Sequence, residues 1–205
     1  MFAYCGNNPV CFSDPSGCFR FYKLEYAHPN GSDGDRYIYN QKDEGVRDIP
    51  FGLANVGHSG CGPVALYNAL QLLGQYHFSF EEILQYYEDN HYLTWGGLLG
   101  SEISGCVRFL EDQGYIVMLV PNTDKNEDIA NIADVCILWY CFRQSGALPV
   151  AAHYVAFTQT DGIGKYYNAY SNQTSIYTYR GGPNSFMRDY ADGGLGGLLI
   201  CVFEP

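Results

Sequence analysis

The order in which hydrophobic patterns occur along the chain constrains its fold more than any other feature. From residue 51 the apolar residues first recur at helical spacing and later fall into short strand-like runs. Leu66, Ala69, Leu70 and Leu73 share one helical face, and Gly74 follows as a stop. Ser79 and Glu82 stand at capping-box spacing at the head of "SFEEILQYYEDN". Ile103, Val107 and Leu110 mark a third helix ending at Gly114. "YIVMLV" (115–120) reads as a buried strand and "NEDIANIA" as a short helix. Strands are then predicted in "VCILWYCF" (135–142), "VAAHYVAFT" (150–158), "KYYNAY" (165–170), "SIYTY" (175–179) and "GGLLICVF" (196–203), with a short helix in "NSFMRDYA". Helices first and strands later predict an α+β fold with segregated layers.

Composition narrows the functional classes. A chain of 205 residues suffices for one domain, or one domain with an appendage, and 47% hydrophobic residues supply a packed core. The net charge is −11 and no basic run occurs, which argues against binding a nucleic-acid backbone. No stretch reaches the roughly 18–20 apolar residues of a membrane span. The opening "MFAYCGNNPV" has neither the charged n-region nor the apolar h-region of a signal peptide.

Residues 1–50 differ from the rest. Turn-formers crowd "YCGNNPVCFSDPSG" and "HPNGSDGD" (28–35), with "RYIYN" a possible short strand after them. The expected division is a tail over 1–17, a linker over 18–50 and a folded domain over 51–205. Of eight cysteines, several sit inside apolar runs, where cysteine is usually a small core hydrophobe. No CxxC pair occurs, so no structural zinc site is expected, nor any cofactor. Free thiols in a reducing setting are the expected state.

The segment "GHSGCGPVALYNAL" (57–70) places Cys61 between two glycines at the start of a helical pattern. A thiol at a helix N-terminus meets a partial positive charge that favours the thiolate. Pro63 suits a first turn, and Gly60 and Gly62 allow a sharp turn and close approach of a substrate. The same residues also fit a buried cysteine at a tight turn. A nucleophilic thiol needs a base, and among five histidines only His153 lies inside an alternating apolar strand. There it either faces a cleft or is a core histidine bonded to a backbone carbonyl. Asn168, on the next expected strand, is the preferred orienting group for that histidine, and it also fits a polar edge residue. Asn55, six residues before Cys61, could supply an oxyanion donor beside the Cys61 backbone N–H.

Gly-Cys-Gly-Pro at a helix start, then histidine on a strand, then asparagine on the next, resembles the papain-fold cysteine peptidases. The likeness is strongest to bacteriocin-processing double-glycine peptidases and covers about residues 51–205. It implies a helical N-terminal lobe packed against a C-terminal antiparallel sheet, with Cys61 as nucleophile, His153 as base and Asn168 as orienter. The family's oxyanion residue is usually glutamine, and Asn55 holds that spacing one methylene shorter. "YCGNNPVCFSDPSG" resembles the closing segment of Rhs/YD-repeat proteins, where Asp-Pro-x-Gly marks the boundary before a variable C-terminal domain, often a toxin. That likeness implies delivery within a larger secreted Rhs protein and a cognate immunity protein; without it a cytoplasmic site is expected, and the peptidase likeness implies a protein or peptide substrate. A housekeeping leader peptidase and a catalytically inactive papain-like binding module remain the competing readings.

Overall fold

A computed structural model of the chain describes residues 36–143, 150–169, 172–190 and 195–205. The Rhs-like segment and the 28–35 turn cluster lie outside the described residues.

Helices come first. Short helices α1 (Glu44–Arg47) and α2 (Val56–Ser59) flank a small ladder of β1 (Pro50–Phe51) and β2 (Ala54–Asn55). Helix α3 (Cys61–Leu72) follows directly, then α4 (Phe80–Asp89) and α5 (Ile103–Asp112). The capping box on α4 forms in both directions: Glu82 N–H donates to Ser79 Oγ at 3.2 Å, and Ser79 N–H donates to Glu82 Oε2 at 2.8 Å. Gly74 and Gly114 end α3 and α5 at positive φ (74° and 90°), which glycine adopts without a Cβ clash.

The second half supplies an antiparallel sheet of six strands. In chain order these are β3 (Ile116–Pro121), β4 (Val135–Arg143), β5 (Val150–Thr160), β6 (Ile163–Tyr167), β7 (Tyr177–Arg180) and β8 (Gly196–Phe203). Their spatial order is β3-β8-β4-β5-β6-β7, so the last strand fills the gap between β3 and β4. Two further helices, α6 (Glu127–Ile132) and α7 (Pro183–Tyr190), interrupt the run of strands.

Alternation along each strand sends side chains into two cores. Ile137, Tyr154, Ala156, Ile200 and Val202 meet α3, α4 and α5 on one face. Cys136, Leu138, Val155, Phe157 and Leu199 meet Ala130 of α6 and Phe186 and Met187 of α7 on the other. The fold is α+β, with the early helices gathered on one face of an antiparallel sheet as the residue pattern predicts. The two late helices add a third layer.

Two expectations need correction. The 115–120 run is not a buried strand: β3 is an edge strand with exposed Ile116, Met118 and Leu119, because β8 pairs with it on one side only. "RYIYN" is not a strand either. The Ile38 N–H donates to Asn68 Oδ1 (2.9 Å), and Asn68 Nδ2 donates back to the Ile38 carbonyl (2.8 Å). A side-chain amide on α3 thus supplies what a neighbouring strand would. Residues 36–49, read from sequence as part of the linker, place Ile38, Val46 and Ile49 in the first core.

Replacing Asn68 by the near-isosteric leucine would strand both buried backbone groups of Ile38. At about 1–3 kcal/mol for each unsatisfied group, Asn68→Leu should lower the stability read from urea unfolding by about 2–6 kcal/mol.

Candidate active site

Cys61 is the first residue of α3 and is buried. The glycines beside it serve packing. A Cβ on Gly60 would lie 2.6 Å from Val56 Cγ1, and one on Gly62 would overlap the Ser101 hydroxyl. Gly60 has φ of −86°, which most residues adopt, so no left-handed turn requires it. The sequence expectation of a sharp, glycine-only turn gives way to one of close approach between α2, α3 and the segment at Ser101.

Cys61 shares a core with Tyr154 and Ala156 of β5. Backbone N–H groups of Tyr154, Gly62 and Cys61 itself are directed at the sulfur and favour its anion. Burial outweighs them and pushes the thiol up, from its ordinary 9.0 to about 11. The helix N-terminus therefore does not make this a low-pKa thiol in the free protein, contrary to the sequence expectation. Beneath it lie other polar groups. Tyr87 Oη and Cys106 Sγ are 3.0 Å apart, Cys106 Sγ lies 3.8 Å from the Gly62 carbonyl, and Tyr154 Oη donates to the Ser101 carbonyl at 2.9 Å.

His153 directly precedes Tyr154 on β5. It pairs across the ladder with Tyr140, whose ring meets the imidazole edge-on at 5.9 Å, and it is half-buried. His153 Nε2 lies 2.7 Å from the main-chain carbonyl oxygen of Asn168. A carbonyl can only accept, so Nε2 carries the proton and Nδ1 presents its lone pair in the neutral ring. Burial lowers the imidazole pKa, the Asn168 carbonyl raises it and the Lys42 ammonium lowers it; the net direction is down. Near neutral pH the histidine is an uncharged base and Cys61 an uncharged thiol.

Asn168 reaches His153 by a route the sequence did not suggest. Strands β5 and β6 form a hairpin over Asp161-Gly162, both at positive φ (50° and 72°), the conformation that favours Asp-Gly in two-residue turns. Strand β6 ends at Tyr167. Asn168 is the next residue, in the left-handed region at φ 61°, which asparagine tolerates better than most side chains. That turn aims its backbone carbonyl at the histidine. Its side chain pairs with Gln41 instead: Gln41 N–H donates to Asn168 Oδ1, and Asn168 Nδ2 donates to Gln41 Oε1, both at 3.0 Å. Gln41 Nε2 continues to the Val56 and Gly57 carbonyls of α2 at 3.2 and 3.3 Å. Gln173 holds the same turn from the other side, accepting from Ala169 N–H at 2.6 Å and donating to the Tyr166 carbonyl at 2.8 Å. Sequence reading missed both glutamines. Only their burial marks them, and burial of a lone polar residue is not visible in a turn-rich stretch.

Asn55 caps α2. Its Oδ1 accepts from His58 N–H at 3.0 Å, leaving the Nδ2 group as its remaining donor. His58 Nδ1 contacts Ser59 Oγ at 2.8 Å, and His77 stacks on Phe78. Among the described residues no three His, Cys, Asp or Glu side chains gather as a metal ion would need. Nor is any helix among them long and apolar enough to cross a membrane.

No family profile matches the chain, and no curated protein matches it. Among solved structures, it is similar to the peptidase domain of Streptococcus ComA, a bi-functional ABC transporter involved in a quorum-sensing pathway. The match has a TM-score of 0.46 and 12% identity, and covers 71% of this chain and 91% of that one.

Only the thiolate is alkylated at an appreciable rate. In the free protein, iodoacetamide labelling of Cys61, followed by peptide mass mapping, should therefore rise with pH toward a midpoint near 11. A plateau already reached between pH 6 and 8 would contradict the burial effect.

Proposed function

We propose that this chain is a cysteine-dependent acyl-transfer enzyme, a peptidase or related hydrolase of the papain-like kind, with Cys61 as nucleophile and His153 as base. One observation carries the reading. Cys61, at the head of α3, shares a core with Tyr154, the strand neighbour of a histidine whose tautomer is set by the Asn168 carbonyl 2.7 Å away.

The chemistry follows from two neutral partners. As Cys61 Sγ attacks an acyl carbon, its proton passes to Nδ1 of His153. The Asn168 carbonyl stabilises the imidazolium by accepting from Nε2–H. The Cys61 backbone N–H and Asn55 Nδ2 donate to the developing oxyanion. His153 then protonates the leaving group, which departs and leaves a thioester. Water, giving a proton to Nδ1, cleaves the C–S bond and restores the thiol. Peptide hydrolysis and side-chain deamidation share every step. The substrate reading is a protein or peptide. Leu53, Trp95, Leu98 and Leu99 stand exposed on segments joined by the Leu53 N–H to Gly96 carbonyl bond, close to the Ser101 that touches Gly62. Apolar surface of that kind suits a polypeptide.

The finer assignment is a C-terminal effector of an Rhs-type polymorphic toxin with a cognate immunity protein. It rests on the likeness of residues 1–17 to an Rhs closing segment. One observation favours a second reading, an inactive papain-like binding module: burial keeps Cys61 protonated.

An activated ester separates the two. Mixed with p-nitrophenyl acetate, the full chain should release a burst of one equivalent of p-nitrophenolate and carry an acetyl thioester on Cys61. Cys61→Ala should abolish the burst, and His153→Ala should slow it by about 10²-fold or more. Asn168→Gly keeps the carbonyl and the positive φ, so it should slow acylation far less than His153→Ala. Absence of acylation at Cys61, or His153→Ala acylating as fast as the parent, would leave only the binding module.

A further inference from the structure

Away from the candidate site, thiol chemistry is concentrated in the middle of the sheet. Cys136 on β4 and Cys201 on β8 are direct partners in the antiparallel ladder, flanked by Val135 opposite Val202 and Ile137 opposite Ile200. Both side chains are fully buried in the second core. Their sulfurs lie 3.8 Å apart, with the Cys136 thiol donating toward Cys201. Directly opposed residues of an antiparallel pair have Cα atoms about 4.5–5.5 Å apart. That falls within the roughly 4.4–6.8 Å that a disulfide spans. Cys141, also on β4, faces Gly196 and Ala152 and has no thiol across either ladder.

The geometry points to Cys136 and Cys201 as a cross-strand disulfide site, closed when the chain folds in contact with a small-molecule disulfide such as glutathione disulfide. All five described cysteines are free thiols in this structure, so the site is in its reduced form. In the oxidation, one cysteine thiolate attacks a sulfur of glutathione disulfide. The S–S bond breaks, one glutathione thiolate leaves and a mixed disulfide forms. The second cysteine thiolate attacks the chain sulfur of that mixed disulfide and displaces the other glutathione thiolate. The two cysteine protons end on the two glutathione thiols. The pair loses two electrons and glutathione disulfide gains them.

Both sulfurs are out of solvent in the folded chain, so exchange takes place while the sheet assembles, and the finished bond is then shielded from reductant. The two cysteines are 65 residues apart in sequence, and β5, β6, β7 and α7 lie between them. Closing a loop of that length restrains the unfolded chain, which raises stability if the bond fits the native register. The site thus suits a chain that meets an oxidising compartment. It does not depend on Cys61 being catalytic.

The test uses the whole chain, unaltered. Reduced, denatured protein is refolded into a glutathione disulfide–glutathione buffer and, in parallel, into glutathione alone. Each sample is alkylated, digested and mapped by mass. The expected result is a peptide pair linked through Cys136 and Cys201 only in the oxidised sample, with an upward shift of its melting temperature. Cys136→Ala and Cys201→Ala should each lose the linkage and that shift. Because either change could weaken the core, the linkage map of the unaltered chain decides. Recovery of both cysteines fully alkylated after oxidative refolding would overturn the proposal. So would linkage mainly through other cysteines, such as Cys61 to Cys106, or a Cys136–Cys201 bond that leaves the melting temperature unchanged or lower.

Discussion

Ten of the twelve residues of α3 are buried, and a helix buried on nearly every side must be packed by other elements all round. The sheet contacts it through Tyr154 and Ala156, and α4 and α5 close around it with Ile83, Tyr87, Cys106 and Leu110. That embedding governs the candidate site. It excludes a Cβ at positions 60 and 62, and it presses the head of the helix against the backbone of β5. It also takes the Cys61 sulfur out of water, so desolvation prevails over the local N–H groups that would favour the thiolate. Two buried polar residues of α3 show how the embedding is tolerated: Asn68 satisfies Ile38, and Gln71 lies in the last turn, where its carbonyl accepts from Gly74 N–H.

A second set of constraints comes from side-chain amides. Gln41, Asn168 and Gln173 are all buried, and each spends its polar groups on backbone or on one another. Gln41 joins the segment before α1 to the turn after β6 and to the α2 carbonyls, across 127 residues of sequence. Because Asn168 is held by its side chain, its main-chain carbonyl is presented to His153. The partner of the His153 ring is thus a backbone atom fixed by an amide pair. That carbonyl is enough to give the neutral histidine one tautomer. Burial favours the protonated thiol of Cys61 and, with the Lys42 ammonium nearby, the uncharged imidazole of His153.

Much of this was legible in residue order. Local signals with short-range physics behind them held: the Ser79–Glu82 capping box, the Gly74 and Gly114 stops, and the strand-like runs of β4, β5 and β8. The β5–β6 hairpin was legible as two successive strand-like runs. Signals whose meaning depends on distant partners were misread. The apolar run 115–120 is as hydrophobic as a buried strand, yet among the described residues only β8 pairs with β3. Residues 38–42 lack periodicity because side chains satisfy their backbone, Asn68 for Ile38, Asn168 for Gln41 and Asn40 for Lys42, and periodicity registers only ladders and helical turns.

The sequence by itself determined the element types, the α+β arrangement, and the presence of a cysteine at a helix start and a histidine on a strand. These follow from propensities and spacings that act over a few residues. The tertiary structure alone decided that Cys61 is buried with its pKa raised, that the Asn168 carbonyl meets His153 while its side chain pairs with Gln41, and that Cys136 meets Cys201. Each of these depends on desolvation or on hydrogen bonds between residues far apart in the chain. Such terms come into being only when the layers pack.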